Sequence, residues 1–263
     1  MKSIIAALIL VFLFIESSFS QDNFKVIKVN GTILLKAKGI SLETGTVFSE
    51  KEDLLFRSED ATAAVINSQR GRMIITNKNH DLSAASSNYL PSMYNISSRG
   101  GSLVNLMDLQ NFFSGKYVVL GRQTIELDKS NFPMDKDHFF FLRYIYKGEE
   151  INKKLEYSGD SLVIDKRSLY TVDGNPIPSP DNTAIRLFYH KGSESVLISE
   201  FDLIFPDINQ LKKEIQIILD ETKGKSTGEK VGEVNSYLNE FYGKVYKENL
   251  ISWLTGNFGL KTK

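Results

Sequence analysis

The chain has 263 residues, 41% hydrophobic and 24% charged, with 18 Gly and only 6 Pro, a globular composition that excludes wholesale disorder and fibrous repeats. Its 32 basic residues balance 32 acidic ones, so it lacks the excess positive charge on which non-specific nucleic-acid binding rests. There is no cysteine, which removes disulfides, thiolate nucleophiles and Cys-ligated zinc or iron–sulfur clusters.

The N-terminus reads as an export signal. Lys2 precedes an apolar run from Ile4 to Ile15, and the small residues Ser18 and Ser20 then flank Phe19 before Gln21. That order of charge, apolar stretch and small residues predicts a cleaved signal peptide over 1–20. Glu16 and three serines interrupt the run before it could span a bilayer, which takes about 20 apolar residues. No cysteine stands near the expected cut, so a lipoprotein anchor is excluded, and no later stretch is apolar enough to be an integral membrane segment. The expected location is secreted or periplasmic. A cysteine-free exported chain fits a bacterial envelope better than a eukaryotic secretory route.

Residues 21–79 form a first module of short strands. Val26, Val29, Ile33 and Leu35 surround Asn30-Gly31, a hairpin dipeptide; Thr44-Gly45 marks another turn. Further apolar runs lie at Val47, Leu54 to Phe56, Ala63 to Ile66 and Met73 to Ile75, the spacing of a small curved β-barrel or sandwich.

Several of these positions also fit a known pattern. Val29-x-Gly31-x-Ile33, Leu42-x-x-Gly45-x-x-Phe48, Leu54-x-Phe56-x-Ser58, Ala61 to Ile66 and Arg70-Gly71-Arg72 together resemble the β-domain of FecR-type periplasmic proteins. The resemblance covers residues 26–76, about a fifth of the chain, and consists mostly of turn glycines and core aliphatics. It departs at Thr46, where that family usually has Asp, and in the absence of the cytoplasmic segment and membrane helix of FecR regulators. It therefore implies an envelope β-module, and neither catalysis nor sigma-factor signalling.

Residues 80–115 turn to Ser, Asn and Gly, with a short helix expected over Leu103 to Phe113. Loops of this length often carry function, and Tyr89, Tyr94 and Arg99 are candidate partner-contacting residues. Residues 116–205 form a second, antiparallel β-sandwich of immunoglobulin-like size. Its strands are expected at Val118 to Leu127, Phe139 to Tyr146, Leu155 to Tyr157, Leu162 to Ile164, Ile185 to Tyr189 and Val196 to Phe205. The turns Lys147-Gly148, Asp173-Gly174 and Lys191-Gly192 separate several of them. Thirteen Phe and Tyr fall between Tyr117 and Phe205; alternation along strands assigns most to the core, while an exposed row of them could stack on sugar rings.

Residues 206–263 read as C-terminal helices. Asp207 and Gln210, then Ser226 and Glu229, have capping-box spacing. Apolar stripes run from Ile208 to Thr222, from Val231 to Val245 and from Leu250 to Leu254, a helical hairpin on the second β-domain. Were one face a docking surface, Tyr237, Phe241 and Trp253 would be its anchors. The fold class is thus α+β and mainly β.

Candidate chemistry is sparse. Gly159-Asp160-Ser161-Leu162 spells the GDSL signature of a lipase and esterase family, yet it reads as strand–turn–strand. Asp135 and His138, the only partners with the right spacing, lie upstream of Ser161, in the wrong order for that family. Gly224-Lys225-Ser226-Thr227 contains the end of a P-loop without the earlier glycine or the preceding strand. His80, His138 and His190 are scattered, and Asp128, Asp135 and Asp137 lack calcium-loop spacing. No cofactor or metal is expected. The expectation is a non-catalytic envelope protein that binds a protein or cell-surface partner; the alternatives are a serine hydrolase using Ser161 and a carbohydrate-binding accessory protein.

Overall fold

The computed structural model describes residues 23–80, 103–178 and 181–261. The expected signal at 1–20 and the loop residues Tyr89, Tyr94 and Arg99 lie outside them. The chain forms two compact units: residues 1–91 with 212–225, and residues 92–211 with 226–263. The expected C-terminal segment 206–263 is accordingly divided between them. The described residues hold 18 strands and five helices, and α+β, mainly β, is the fold class.

In the first unit, β1 (Asn23–Asn30), β2 (Ile33–Leu35), β3 (Ile40–Ser41), β4 (Val47–Ser49), β5 (Leu54–Phe56), β6 (Thr62–Asn67) and β7 (Gly71–Thr76) make two small sheets. Their orders are β4-β1-β6-β7 and β3-β2-β5, with every pairing antiparallel and no closed barrel. Phe24, Val26, Ile33, Phe48, Val65 and Met73 belong to the core of this unit. The turn at Asn30-Gly31 does not close a hairpin, contrary to expectation. Pairing sends β1 to one sheet and β2 to the other. Glycine is needed there on two counts. Its φ is +75°, and a Cβ would stand 3.0 Å from the Ala61 Cβ.

A bulge after Val26 places Lys28 opposite Ala64 on the outer face of the larger sheet, where Ile27, Ala64 and Ile66 are also buried. Residues 212–225 supply a helical segment to this unit. In it the fully buried Glu214 meets the Lys28 Nζ at 3.5 Å, and Ile215 and Ile218 continue the buried stripe.

The second unit begins with α1 (Leu106–Phe112), capped at Asn105 by a reciprocal box with Asp108. That cap starts the helix three residues later than the apolar run alone indicated. Then come β8 (Lys116–Val118) and β9 (Arg122–Glu126), where one strand was expected. Gly121, with φ +78°, breaks it and sends the two halves into different sheets. The unit continues through β10 (His138–Tyr146), β11 (Glu149–Lys154), β12 (Glu156–Ser158), β13 (Ser161–Asp165), α2 (Lys166–Leu169), β14 (Thr171–Val172), β15 (Asn175–Pro176), β16 (Asp181–Lys191) and β17 (Glu194–Ile204). Helix α3 (Ile208–Glu221) starts here and runs on into the first unit. Finally come α4 (Thr227–Phe241), β18 (Lys244–Val245) and α5 (Lys247–Phe258).

A six-stranded sheet, β11-β10-β16-β17-β8-β18, and a three-stranded sheet, β12-β13-β9, contribute to one core. Phe140, Leu142, Tyr144, Leu187 and Phe201 come from the first sheet; Ile125, Leu162 and Ile164 come from the second. The larger sheet is mixed, since β8 runs parallel to both β17 and β18. The tight turns follow their local chemistry. Lys147-Gly148 and Asp173-Gly174 have positive φ at both central residues, the pattern of the type I′ hairpin. In the turn after β16 Lys191 still belongs to the strand, and Gly192-Ser193 is the two-residue loop.

The C-terminal helices fold back through β18. Asp207 Oδ1 accepts from the Gln210 amide at the start of α3, and Ser226 and Glu229 form the expected capping box of α4. Asn249 ties α5 to the β8–β9 break: its Oδ1 accepts from Leu120 N at 3.1 Å and its Nδ2 donates to Arg122 O at 3.0 Å. Lys244 Nζ donates to the Asn111 and Phe112 carbonyls at the end of α1, and burial lowers its pKa. Around this clip Tyr117 is wholly buried and accepts from Gln123 Nε2 at 2.5 Å. Burial and the Glu248 carboxylate push the Tyr246 phenol up to about 12.

Candidate binding face

Strand β10 reads His-Phe-Phe-Phe-Leu-Arg-Tyr-Ile-Tyr, without the polar alternation of a strand that shows one face to water. Since side chains alternate, Phe140, Leu142 and Tyr144 enter the core, and Phe139, Phe141, Arg143 and Ile145 point to the other face. Register carries that face across the sheet. Lys154 of β11, Phe141, Phe188 of β16 and Leu197 of β17 form one row; Phe139, His190 and Ser195 form the next; Asn152, Arg143, Arg186 and Glu200 form a third.

The rows are organised by ring contacts. Phe141 and Phe188 stack at 4.9 Å and 4°, and Phe139 meets the His190 ring at 4.7 Å. His190 Nδ1 is 3.0 Å from Ser195 Oγ. Cations lie over the rings. The Lys154 ammonium sits 4.0 Å from the Phe139 centroid, and the Arg143 guanidinium 4.8 Å from that of Phe188. Glu150 binds both Arg143 (3.3 Å) and Arg186 (2.5 Å), and Asn152 Oδ1 accepts from Arg143 Nε at 2.7 Å. Phe141 is only 8% exposed beneath these side chains, whereas Leu197 is 47% and Ile145 44% exposed. The result is an aromatic surface with a cationic frame and apolar margins.

Lys154 also joins this face to a cleft of about 700 Å³, lined by Lys153, Lys154, Leu155, Glu156, Tyr157, Arg167, Ser168 and Thr171. Its ammonium stands 5.9 Å from the Tyr157 ring. Lys153 Nζ donates to the Thr171 carbonyl at 2.5 Å.

Apart from His190, the described residues singled out in the sequence are placed elsewhere. Tyr237 is fully buried, stacked on Phe241 at 5.4 Å. It is a core residue of α4 and not a surface anchor, because its stripe faces inward. Phe241 is half-buried, as is Trp253, which packs on Phe258 at 5.7 Å. His80 lies against Phe56, with its Nδ1 3.0 Å from the Asn77 carbonyl.

Asp135 and His138 do meet, with the His138 Nδ1 2.9 and 3.0 Å from the two carboxylate oxygens. Asp135 Oδ1 also accepts from the Asp137 and His138 amides. The Asp137 amide first, then the His138 side chain, hold the Asp135 carboxyl below its ordinary value of 3.8. Ser161 opens β13 in the β12–β13 hairpin, whose turn is Gly159-Asp160. Asp128 is similarly engaged, accepting from the Ser130 and Asn131 amides. Among the described residues no three His, Asp or Glu side chains gather as a metal site. Ser226 of the P-loop-like tetrapeptide caps α4.

The outer aromatic face was not singled out from sequence. Its signal was present in the uninterrupted Phe139-Phe140-Phe141-Leu142 run, which marks a strand apolar on both faces. No family model, curated protein or solved structure matches this chain.

Proposed function

We propose that this is an exported, non-catalytic protein of the bacterial envelope, secreted or periplasmic, that binds a protein partner through the outer face of the six-stranded sheet. The observation that carries the reading is the apolar margin of that face, where exposed Leu197 and Ile145 stand beside half-buried Phe139 and Phe188. A sheet face this apolar is unusual unless it is covered, and exposed apolar patches mark interaction sites. Aromatic and Arg side chains are the types that dominate binding energy at protein interfaces. The first unit is read as a FecR-like β-module in the same envelope setting; Gly31, Gly45 and Gly71 all take positive φ at its turns, which is why those positions are glycine.

The other readings draw less support. Ser161 forms no hydrogen bond with His138, which pairs instead with Asp135. The ring faces that a sugar would stack on are covered by Lys154 and Arg143. The test is site-specific photo-cross-linking in the native envelope, with the reactive group at Leu197 or at exposed Ser252 on α5. A protein adduct of defined mass from position 197 alone is expected. Equal patterns at the two positions, or none at 197, would sink the proposal, as would fluorophosphonate labelling that is lost in Ser161→Ala.

A further inference from the structure

The geometry points to a particular kind of partner segment: an extended, carboxylate-rich peptide that adds as a strand to the open edge of β11 and sets acidic side chains against Lys154 and Arg167. This rests on reading the second unit as a binding module. Two features support it.

The edge is available. β11 ends the six-stranded sheet and, among the described residues, pairs only with β10. The two-residue Lys147-Gly148 turn makes Tyr146 and Glu149 the closing hydrogen-bonded pair. Antiparallel alternation then turns the N–H and C=O of Glu150, Asn152 and Lys154 away from β10. The Leu155 amide, which donates to Phe140 O at 2.9 Å, falls in phase with that alternation. An added strand would find three residues at two-residue spacing, the ladder used in β-strand addition.

The cleft at the end of this edge carries unneutralised positive charge. Arg167 is exposed and its guanidinium has no partner among the described residues. Among the described residues Lys154 faces the Phe139 and Tyr157 rings, and Lys153 is bound to a carbonyl. Glu156, the one carboxylate among the described lining residues, is directed to Arg122 at 4.0 Å. Three cations therefore line a cleft whose own acid is engaged elsewhere.

The ligand chemistry follows. A carboxylate satisfies Arg and Lys together, and a peptide supplies the backbone groups that the edge requires. Lysines on an edge strand also serve simply to prevent pairing, so the experiment must separate the two roles.

A fluorescein-labelled peptide of alternating Glu and Thr, about ten residues long, is titrated into the mature protein at about 50 and about 300 mM salt. The comparison ligands are the matching Gln–Thr peptide and trigalacturonate. Binding of the Glu–Thr peptide is expected to weaken with salt. It should also fall about tenfold in Lys154→Gln/Arg167→Gln, as two partly exposed charge pairs predict. The amides of Asn152 and Lys154 should exchange more slowly in the complex. Absence of binding, equal binding by the double variant, or protection confined to other strands would overturn the inference. Trigalacturonate binding as tightly as the peptide would overturn it too. If the peptide fails while the Leu197 cross-link persists, the binding-module reading survives and this one does not.

Discussion

Of the described glycines, Gly243 leaves the least room for a Cβ, and Gly243→Ala tests how the second unit closes. The residue joins α4 to β18 with φ +134°, a region L side chains rarely adopt. A Cβ built there overlaps the Lys116 carbonyl oxygen and lies 2.6 Å from the Lys116 Cβ and 2.9 Å from its carbonyl carbon. Two of the three are backbone atoms of β8, the strand that β18 joins at Lys244↔Tyr117 and Val245↔Val118, so no rotamer change relieves the clash. The backbone strain costs about 1–3 kcal/mol, and forcing extra volume into a packed site about 1–3 kcal/mol more. The expected loss is thus about 2–6 kcal/mol, a large fraction of a typical stability of about 5–15 kcal/mol. Urea unfolding followed by the fluorescence of Trp253, the single tryptophan, reports on α5 directly. Gly256→Ala is the control with opposite sign. That glycine sits in α5 without positive φ and with nothing within 4 Å of a Cβ, so alanine should stabilise by about 0.5–1 kcal/mol. An unchanged midpoint for Gly243→Ala, or the same shift for both variants, would refute the close-approach argument.

Two further expectations follow from the same unit. Asn249→Ala removes both bonds between α5 and the β8–β9 break, leaving Leu120 N and Arg122 O without partners. A loss of about 2–4 kcal/mol is expected by denaturant titration, and a loss below about 0.5 kcal/mol would show that the clip is incidental. The lowered Asp135 carboxyl pKa stabilises the fold above the unfolded-state value, and that contribution disappears as pH falls through the folded value. Carbon-13 NMR should therefore place the Asp135 midpoint below 3.8, and the stability deficit of Asp135→Asn should shrink on acidification. A midpoint at or above 3.8 would contradict the hydrogen-bonded turn around Asp135.

Legibility in the sequence tracked the range of the interaction concerned. The neutral, cysteine-free composition, the mainly β character and the two β-rich segments were readable because composition and periodicity report burial directly. The capping box of Ser226 and Glu229 and the turns at Lys147-Gly148 and Asp173-Gly174 were readable too, since they are settled within three or four residues. Asn30-Gly31 shows where that stops. The dipeptide makes its turn, but which sheet β1 and β2 join depends on partners tens of residues away.

The candidate site was the least legible part. Tyr237 lies on a helical stripe that a core and a docking face would both produce, and only packing showed it to be core. Phe139, Phe141 and Phe188 were counted among core aromatics, because nothing local tells which side of a strand meets the second sheet. Composition, charge balance and local turn and cap chemistry were thus determined by the sequence alone, for they depend on each residue and its near neighbours. The split of β8 from β9, the parallel joining of β8 to β17 and β18, and the aromatic outer face were decided by tertiary structure. Each depends on strands distant in the chain burying their surfaces together.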